Sequence, residues 1–302
     1  MTNIPLVILL GILSTIQTHL AKALERQGIE VFDQIKARVQ KSEGMVVTGG
    51  LKKPLIYTAG LILNNTLFIW STLAQPYGPP ALFSSMFGIG LVFLMVYAAL
   101  VLKERITLVE LGGAVAIVTG TLFIGIDNIS RAAMDRFTMD LSTLLVALGI
   151  WLLLSLLFVF ASLRTSNLAL IALAFGLLAG GLGSLDPFFK GVGQNYGGRS
   201  GLFPSNVTGT IFFVLSFGIG FLAFVVTQVG FARKVRASLL VPAYNAAFIG
   251  LPVLWQVLLL PAYRLSWLTG IGLLLVISGV LGMQSFKNSR IVKRARGNPE
   301  RI

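Results

Sequence analysis

Two adjacent amides, Asn64-Asn65, stand midway along an apolar run, and Tyr244-Asn245 stands between Pro242 and Pro252 in another. A polar group in hydrocarbon must be satisfied by protein or water, so such residues mark either interhelical hydrogen bonds or a polar pathway. Adjacent helical residues diverge by about 100°. One of Asn64 and Asn65 therefore faces a neighbouring helix while the other faces a cavity, or both bond between helices. Pro242 and Pro252 each remove an i to i−4 bond and free the carbonyls of Ser238 and Phe248. That either presents backbone oxygens to a substrate or cation, or merely kinks the helix. Ser84-Ser85 and Thr227-Gln228 add polar side chains towards helix ends. The candidate substrate-binding set is thus Asn64, Asn65, Ser85, Gln228, Tyr244 and Asn245. Asp186, the carboxylate well inside an apolar run, precedes Lys190 by four residues; it either neutralises that lysine or serves as an outer gate or cation-attracting group.

Other chemistries are poorly supplied. With no Cys there is no thiolate nucleophile, disulfide or Cys metal site, and His19 is the single histidine. No paired carboxylates fall at mid-depth, which weakens proton antiport through a buried acid. The expectation is a protein that is not an enzyme and has no cofactor; its metal ligands, if any, are left open. A lipid-acting enzyme would need an acid or His cluster at one interface.

The elements that carry these residues are apolar helices. The 302 residues are 55% hydrophobic and 12% charged, with a mean hydropathy of +0.85. A soluble domain carries about 25% charged residues, so an ordinary soluble fold is excluded. Since about 20 apolar residues span a bilayer, the chain predicts nine helices: 4–23, 54–75, 80–102, 107–126, 141–163, 168–190, 207–231, 238–260 and 266–286. The segment 24–53 reads as a cytoplasmic basic loop with amphipathic character, and 287–302 as a basic cytoplasmic tail that is disordered or touches lipid.

The net charge of +13 would suggest nucleic acid in a soluble protein. Here it follows topology, and no nucleic-acid partner is expected. Nine spans place only Arg131, Arg136, Lys190, Arg199 and Arg264 on one face, with every other Lys and Arg on the opposite face. That bias predicts the N-terminus outside and the C-terminus in the cytoplasm. With no targeting segment visible, the cell (plasma) membrane is the expected location and the lipid bilayer a necessary partner; oligomeric state is open.

An internal repeat is also legible. At an offset of 159, Arg105-Ile106-Thr107 meets Arg264-Leu265-Ser266, Gly113 meets Gly272, and Thr119-Gly120 meets Ser278-Gly279. At an offset of 165, Gly11-Ile12-Leu13 meets Gly176-Leu177-Leu178, and Gly28 meets Gly193. Both pair a helix with one five places later, and an odd spacing inverts the copy. The whole chain, 1–302, then reads as one transmembrane transporter domain with a first repeat over 4–126 and a second over 141–286. Inverted repeats are a recurring construction of secondary transporters, with the site near the midplane between halves.

The run Leu102-Lys103-Glu104-Arg105, followed by Gly112-Gly113 and Gly120, resembles the end of the drug/metabolite transporter repeat, the EamA-like fold. Gly60 with Asn64, Pro76-Tyr77-Gly78, Thr227-Gln228 and Ser238 to Tyr244 are similar to the NIPA-type magnesium transporter branch. The resemblance implies an all-α, inverted-repeat membrane bundle with a central cavity lined by the middle helices of both halves. The chain departs from that branch where Leu61, not an acid, follows Gly60, and where Tyr263 replaces the acid beside Arg264. The implied function is transport of a small solute or divalent cation such as Mg²⁺ by alternating access. The alternatives are an EamA-like metabolite or drug exporter and a non-transporting membrane scaffold.

Overall fold

The computed structural model describes residues 3–28, 52–101, 106–130, 141–196, 201–259 and 264–297, and these are helical throughout, with no strand among them. The helices are α1 (Ile4–Gly28), α2 (Lys52–Asn65), α3 (Phe68–Ala74), α4 (Pro80–Ser85), α5 (Phe87–Leu100), α6 (Leu108–Ser130), α7 (Leu141–Leu163), α8 (Leu168–Asn195), α9 (Val207–Ala232), α10 (Ala237–Leu259) and α11 (Trp267–Gly297). Seven helical stretches among the described residues are long and apolar enough to cross a membrane; the apolar part of α11, Trp267–Met283, is shorter. The chain is a membrane protein on this ground. Most of the expected basic loop, 29–51, lies outside the described residues, as do 298–302 of the tail. Residues 287–297, expected in that tail, continue α11.

Three boundaries differ from the sequence expectation for identifiable reasons. α1 does not stop at Ala23 but runs to Gly28, because Lys22 and Glu25 are buried against other helices and do not emerge into water. The second run is two helices, α2 and α3, and α10 is continuous through both Pro242 and Pro252. The interruption beside Asn64 and Asn65 therefore lies in a run whose proline, Pro54, stands at its start and not at the break. At that break the amide of Leu67 reaches Asn64 O and that of Trp70 reaches Leu67 O, which are i to i−3 bonds. Gln17 of α1 holds the turn: its Nε2 donates to Leu63 O and Thr66 Oγ1, both at 2.7 Å, and its Oε1 accepts from Trp70 Nε1 at 2.8 Å.

Helix starts follow local chemistry. Thr107 and Glu110 form a reciprocal capping box: Thr107 N–H donates to Glu110 Oε2 at 2.8 Å, and Glu110 N–H to Thr107 Oγ1 at 3.2 Å. Glu110 is buried in this role. Asn167 and Asn206 cap α8 and α9 through their side-chain oxygens.

Glycines set the closest crossings. A Cβ on Gly180 would meet Tyr244 O at 2.0 Å, so the Gly176/Gly180 stripe brings α8 and α10 together. Between α6 and α11 the approaches are reciprocal: Gly113 faces Gly279 O and Gly279 faces Gly113 O, while Gly120 and Gly272 face each other's carbonyls. Thr269 Oγ1 donates to Asp127 Oδ2 at the other end of this pair. α8 is the most enclosed span and α7 is largely exposed on its apolar surface, which in a membrane protein is the surface left for lipid.

Candidate functional site

A cavity of about 280 Å³ lies between the helices and draws its wall from both ends of the sequence. From the first half come Ser14, Thr18 and Lys22 on α1, then Asn64 and Asn65 at the α2 terminus, and Ser71 on α3. The three α1 residues are four apart and so share one helix face. From the second half come Gly183, Asp186 and Pro187 on α8, Gly220 and Ala223 on α9, and Tyr244 on α10. Phenylalanines from α3, α4, α5, α9 and α10 stand in the remaining wall. Asn65, Phe68 and Phe221 are exposed and form its rim, which the edge-to-face pair Phe68 and Phe217, 5.4 Å between centroids, bridges.

The polar groups occupy two stations. At one, Asp186 pairs with Lys190, the predicted i,i+4 partner, and accepts a bond from Ser71 Oγ at 3.1 Å. Lys190 is fully buried and also lies 4.4 Å over the Phe217 ring, so Asp186 already has its counter-charge. Pro187 has no N–H to offer the Gly183 carbonyl, and both residues line the cavity. The freed-carbonyl arrangement suggested for Pro242 and Pro252 thus occurs at the cavity through Pro187 of α8. At the other station, Lys22 is 3% exposed and its Nζ stands 3.5 Å over the Tyr244 ring. Glu25 is three residues on but turns to Gln228 Nε2, its Oε2 accepting at 2.6 Å, and no ion pair joins it to Lys22.

Of the residues singled out from sequence, Asn64, Asn65, Tyr244 and Asp186 meet at this cavity. Ser85, Gln228 and Asn245 lie outside it, and Ser85 Oγ, both polar atoms of Gln228 and Asn245 Nδ2 are engaged elsewhere. Ser85 Oγ donates to Leu82 O at 2.7 Å and packs against Gly125. Gln228 accepts from Tyr57 Oη at 3.0 Å and donates to Glu25, linking α9 to α1 and α2. Asn245 Nδ2 donates to His19 Nε2 at 2.8 Å. His19 Nδ1 stands 2.7 Å from Thr15 O, a pure acceptor, so the proton is on Nδ1 and Nε2 is the acceptor for Asn245. Gly90 makes room for this ring, since a Cβ there would stand 2.3 Å from His19 Nδ1.

Lys22 is a cavity residue that the sequence does not single out: it stands at the end of the 4–23 run and counts there as one of the basic residues of one membrane face. The signal that could have found it is register: Ser14, Thr18 and Lys22 repeat every four residues along α1. Comparison with protein-family profiles, with characterised proteins and with solved structures finds no match to this chain.

Proposed function

We propose that the chain is a multispan transporter that moves a small organic solute across the membrane by exposing its central cavity alternately to either side. The observation that carries this reading is the cavity itself, which is polar at two stations and built from both halves. The glycine crossings support a twofold relation between those halves. Gly113 and Gly272 are equivalent at the offset of 159, as are Gly120 and Gly279, and each faces the other pair's member across α6 and α11. Residue i meeting the copy of j while j meets the copy of i is the contact rule of a twofold axis. The offset of 165 behaves consistently. Gly11 and Gly176 each abut the third run of their own half, and Gly28 and Gly193 each abut the second.

The same reading includes nine spans, an outside N-terminus and a cytoplasmic C-terminus in the cell membrane. In its support, Arg26 at the end of α1 donates to Val235 O in the α9–α10 connection at 3.1 Å, which puts two of the basic segments at one end of the bundle. Likeness to the drug/metabolite transporter superfamily rests on the sequence motifs alone. The donor set favours an organic solute over Mg²⁺ as cargo. Mg²⁺ is held by hard oxygens, carboxylates foremost, whereas this cavity offers an ammonium and one carboxylate already paired with Lys190. Among the described residues no group of three His, Cys, Asp or Glu could hold a metal.

The test uses the absence of cysteine. Single-cysteine variants at Thr18, Asn64 and Ala223 are probed in sided membrane vesicles with an impermeant thiol reagent, with Leu153, exposed on α7, as the lipid-facing control. The cavity positions are expected to react, with a sidedness that changes between conditions, while Leu153 stays inert. Three cavity positions as inert as Leu153 would mean a dry, packed interior and a scaffold, not a transporter.

A further inference from the structure

The two lysines around the cavity are held differently. Asp186 is neutralised by Lys190, so the outer station presents a compensated pair plus a hydroxyl. Lys22 has no acceptor at bonding distance among the described residues: Glu25, the buried acid near it on α1, acts on it by charge alone and bonds Gln228 instead. The residue is 3% exposed and its ammonium lies on the face of Tyr244, within hydrogen-bond or ion-pair distance of no acceptor among the described residues. A buried ammonium lacking an acceptor is costly unless something supplies one, and a ring face offers much less than a carboxylate. Lys22 lines the cavity, so the space beside it is where an acceptor would arrive.

The rest of the wall states what should accompany that acceptor. Phe83, Phe87, Phe217, Phe224 and Phe248 surround the space, and Phe87 and Phe248 stack with centroids 3.9 Å apart. Aromatic walls favour a flat apolar body. They would also suit an organic cation, but the fixed ammonium of Lys22 already occupies the Tyr244 face and repels a second positive charge.

We infer that the cavity selects a small organic anion, its carboxylate or phosphate seated on Lys22 Nζ and its apolar body held among the phenylalanines. This deepens the transporter reading and rests on it. Anionic oxygens of this kind are carried both by soluble aryl or acyl acids and by the headgroups of acidic lipids. The exposed rim at Asn65, Phe68 and Phe221 gives a lipid a way in from the side.

The experiment is equilibrium binding to the purified full chain in neutral detergent. The probes are benzenesulfonate, phenyl phosphate, benzyl alcohol and benzyltrimethylammonium, with dihexanoyl phosphatidylglycerol as competitor. The two anions are expected to bind better than the alcohol, with the cation weakest. Lys22→Gln should weaken anion binding by about tenfold or more, since a buried charge pair is lost, while Lys22→Arg retains most of it. Lys22→Glu should invert the preference towards benzyltrimethylammonium, a gain that a merely misfolded variant would not show. Displacement of phenyl phosphate by the lipid in the wild type but not in Lys22→Gln would identify the headgroup as an occupant; absence of displacement would identify the soluble acid. Anion binding unchanged in Lys22→Gln, or a wild-type preference for the cation, overturns the inference. If the cavity cysteines react with the impermeant reagent and yet no anion binds, the substrate class fails while transport stands. If those cysteines are inert, the transporter reading itself fails.

Discussion

The second run of each half faces the cavity in a different form. In the first half it is broken into α2 and α3, with Asn64 and Asn65 at the break; in the second it is α9, one helix of 26 residues. The broken run's proline, Pro54, stands at its start, ten residues before Asn64, and α9 has none, so proline does not account for the difference. It comes from the helix beside it. Gln17 of α1 supplies a donor pair to Leu63 O and Thr66 Oγ1 and an acceptor to Trp70, whereas the α8 residue at the offset of 165 is Leu182, which can supply neither. Packing is shared between the halves through glycine, and polar chemistry is what sets them apart. α1 turns Ser14, Thr18 and Lys22 to the cavity; α8 turns Gly183, Asp186 and Pro187.

The largest effect that would sharpen this contrast is expected at Gly176 and Gly11. A Cβ on Gly176 would stand 2.7 Å from Leu240 O and 2.6 Å from Ala243 Cβ, atoms fixed to the α10 backbone. On Gly11 the nearest atom is Met86 Cγ at 2.7 Å, in a flexible side chain, and the atoms fixed to backbone stand farther off, Met86 Cβ at 3.0 Å and Phe83 O at 3.3 Å. Overpacking against backbone costs about 2–3 kcal/mol, and Ala gains back less than about 1 kcal/mol in helix propensity. Gly176→Ala should therefore lower the melting temperature clearly in detergent, and Gly11→Ala should lower it less. Equal losses would show that the two crossings are mechanically alike and that Met86 is as rigid as backbone.

Gln17→Leu comes next. It leaves Trp70 Nε1 without its acceptor at depth, while Leu63 O still accepts from Thr66, a loss of roughly 1–2 kcal/mol, and it gives α1 the residue type that α8 already has. The broken run should then behave more like α9. The readout is the reactivity of a cysteine at Asn64 in the Gln17→Leu background, which should fall as the turn that presents this position relaxes, alongside a lower melting temperature. Unchanged reactivity would mean that the turn is held by α2 and α3 themselves.

How much of this was legible in the sequence depends on whether a residue's neighbours are local. All nine predicted runs contain helix, because a run of apolar residues needs no knowledge of partners. The Asp186–Lys190 pair and the Gly176/Gly180 crossing were readable for the same reason, each following from spacing along one helix. Asn64, Asn65, Tyr244 and Asp186 were found as polar residues at depth, and they do meet. What sequence could not supply was the competitor for each polar atom. Asn245 is turned to His19, which is 226 residues away in the chain, and Gln228 to Glu25. Lys22 was hidden by the opposite error. A lysine at the end of an apolar run reads as a topology signal, and only the helical continuation to Gly28 shows that it is inside.

The smallest predicted effect concerns the two connections at the end of the bundle where Arg26 meets Val235. Between α7 and α8 the chain turns through Thr165 and Asn167, whose side chains bond the neighbouring backbone: Thr165 Oγ1 donates to Ser162 O, and Asn167 Oδ1 accepts from the Ala169 and Leu170 amides. Between α9 and α10 the turn is made by Lys234 at φ 62°, the one non-glycine residue with positive φ among those described. A left-handed conformation costs a residue with a Cβ about 1–2 kcal/mol, and helices usually place glycine at this position. The amide of Lys234 still bonds Phe231 O at 2.9 Å, so the turn is kept and the strain is local. Lys234→Gly removes that strain but adds chain entropy to the unfolded state, leaving a net gain of roughly 0.5–1 kcal/mol. The expected result is a rise in melting temperature with anion binding unaltered, because Lys234 does not line the cavity. Asn167→Gly at the other connection should do the reverse, since it deletes a cap and relieves no strain. A loss of stability in Lys234→Gly would show that the lysine is held there by favourable contacts of its side chain that outweigh the backbone cost, and the two connections would then be alike in relying on side chains.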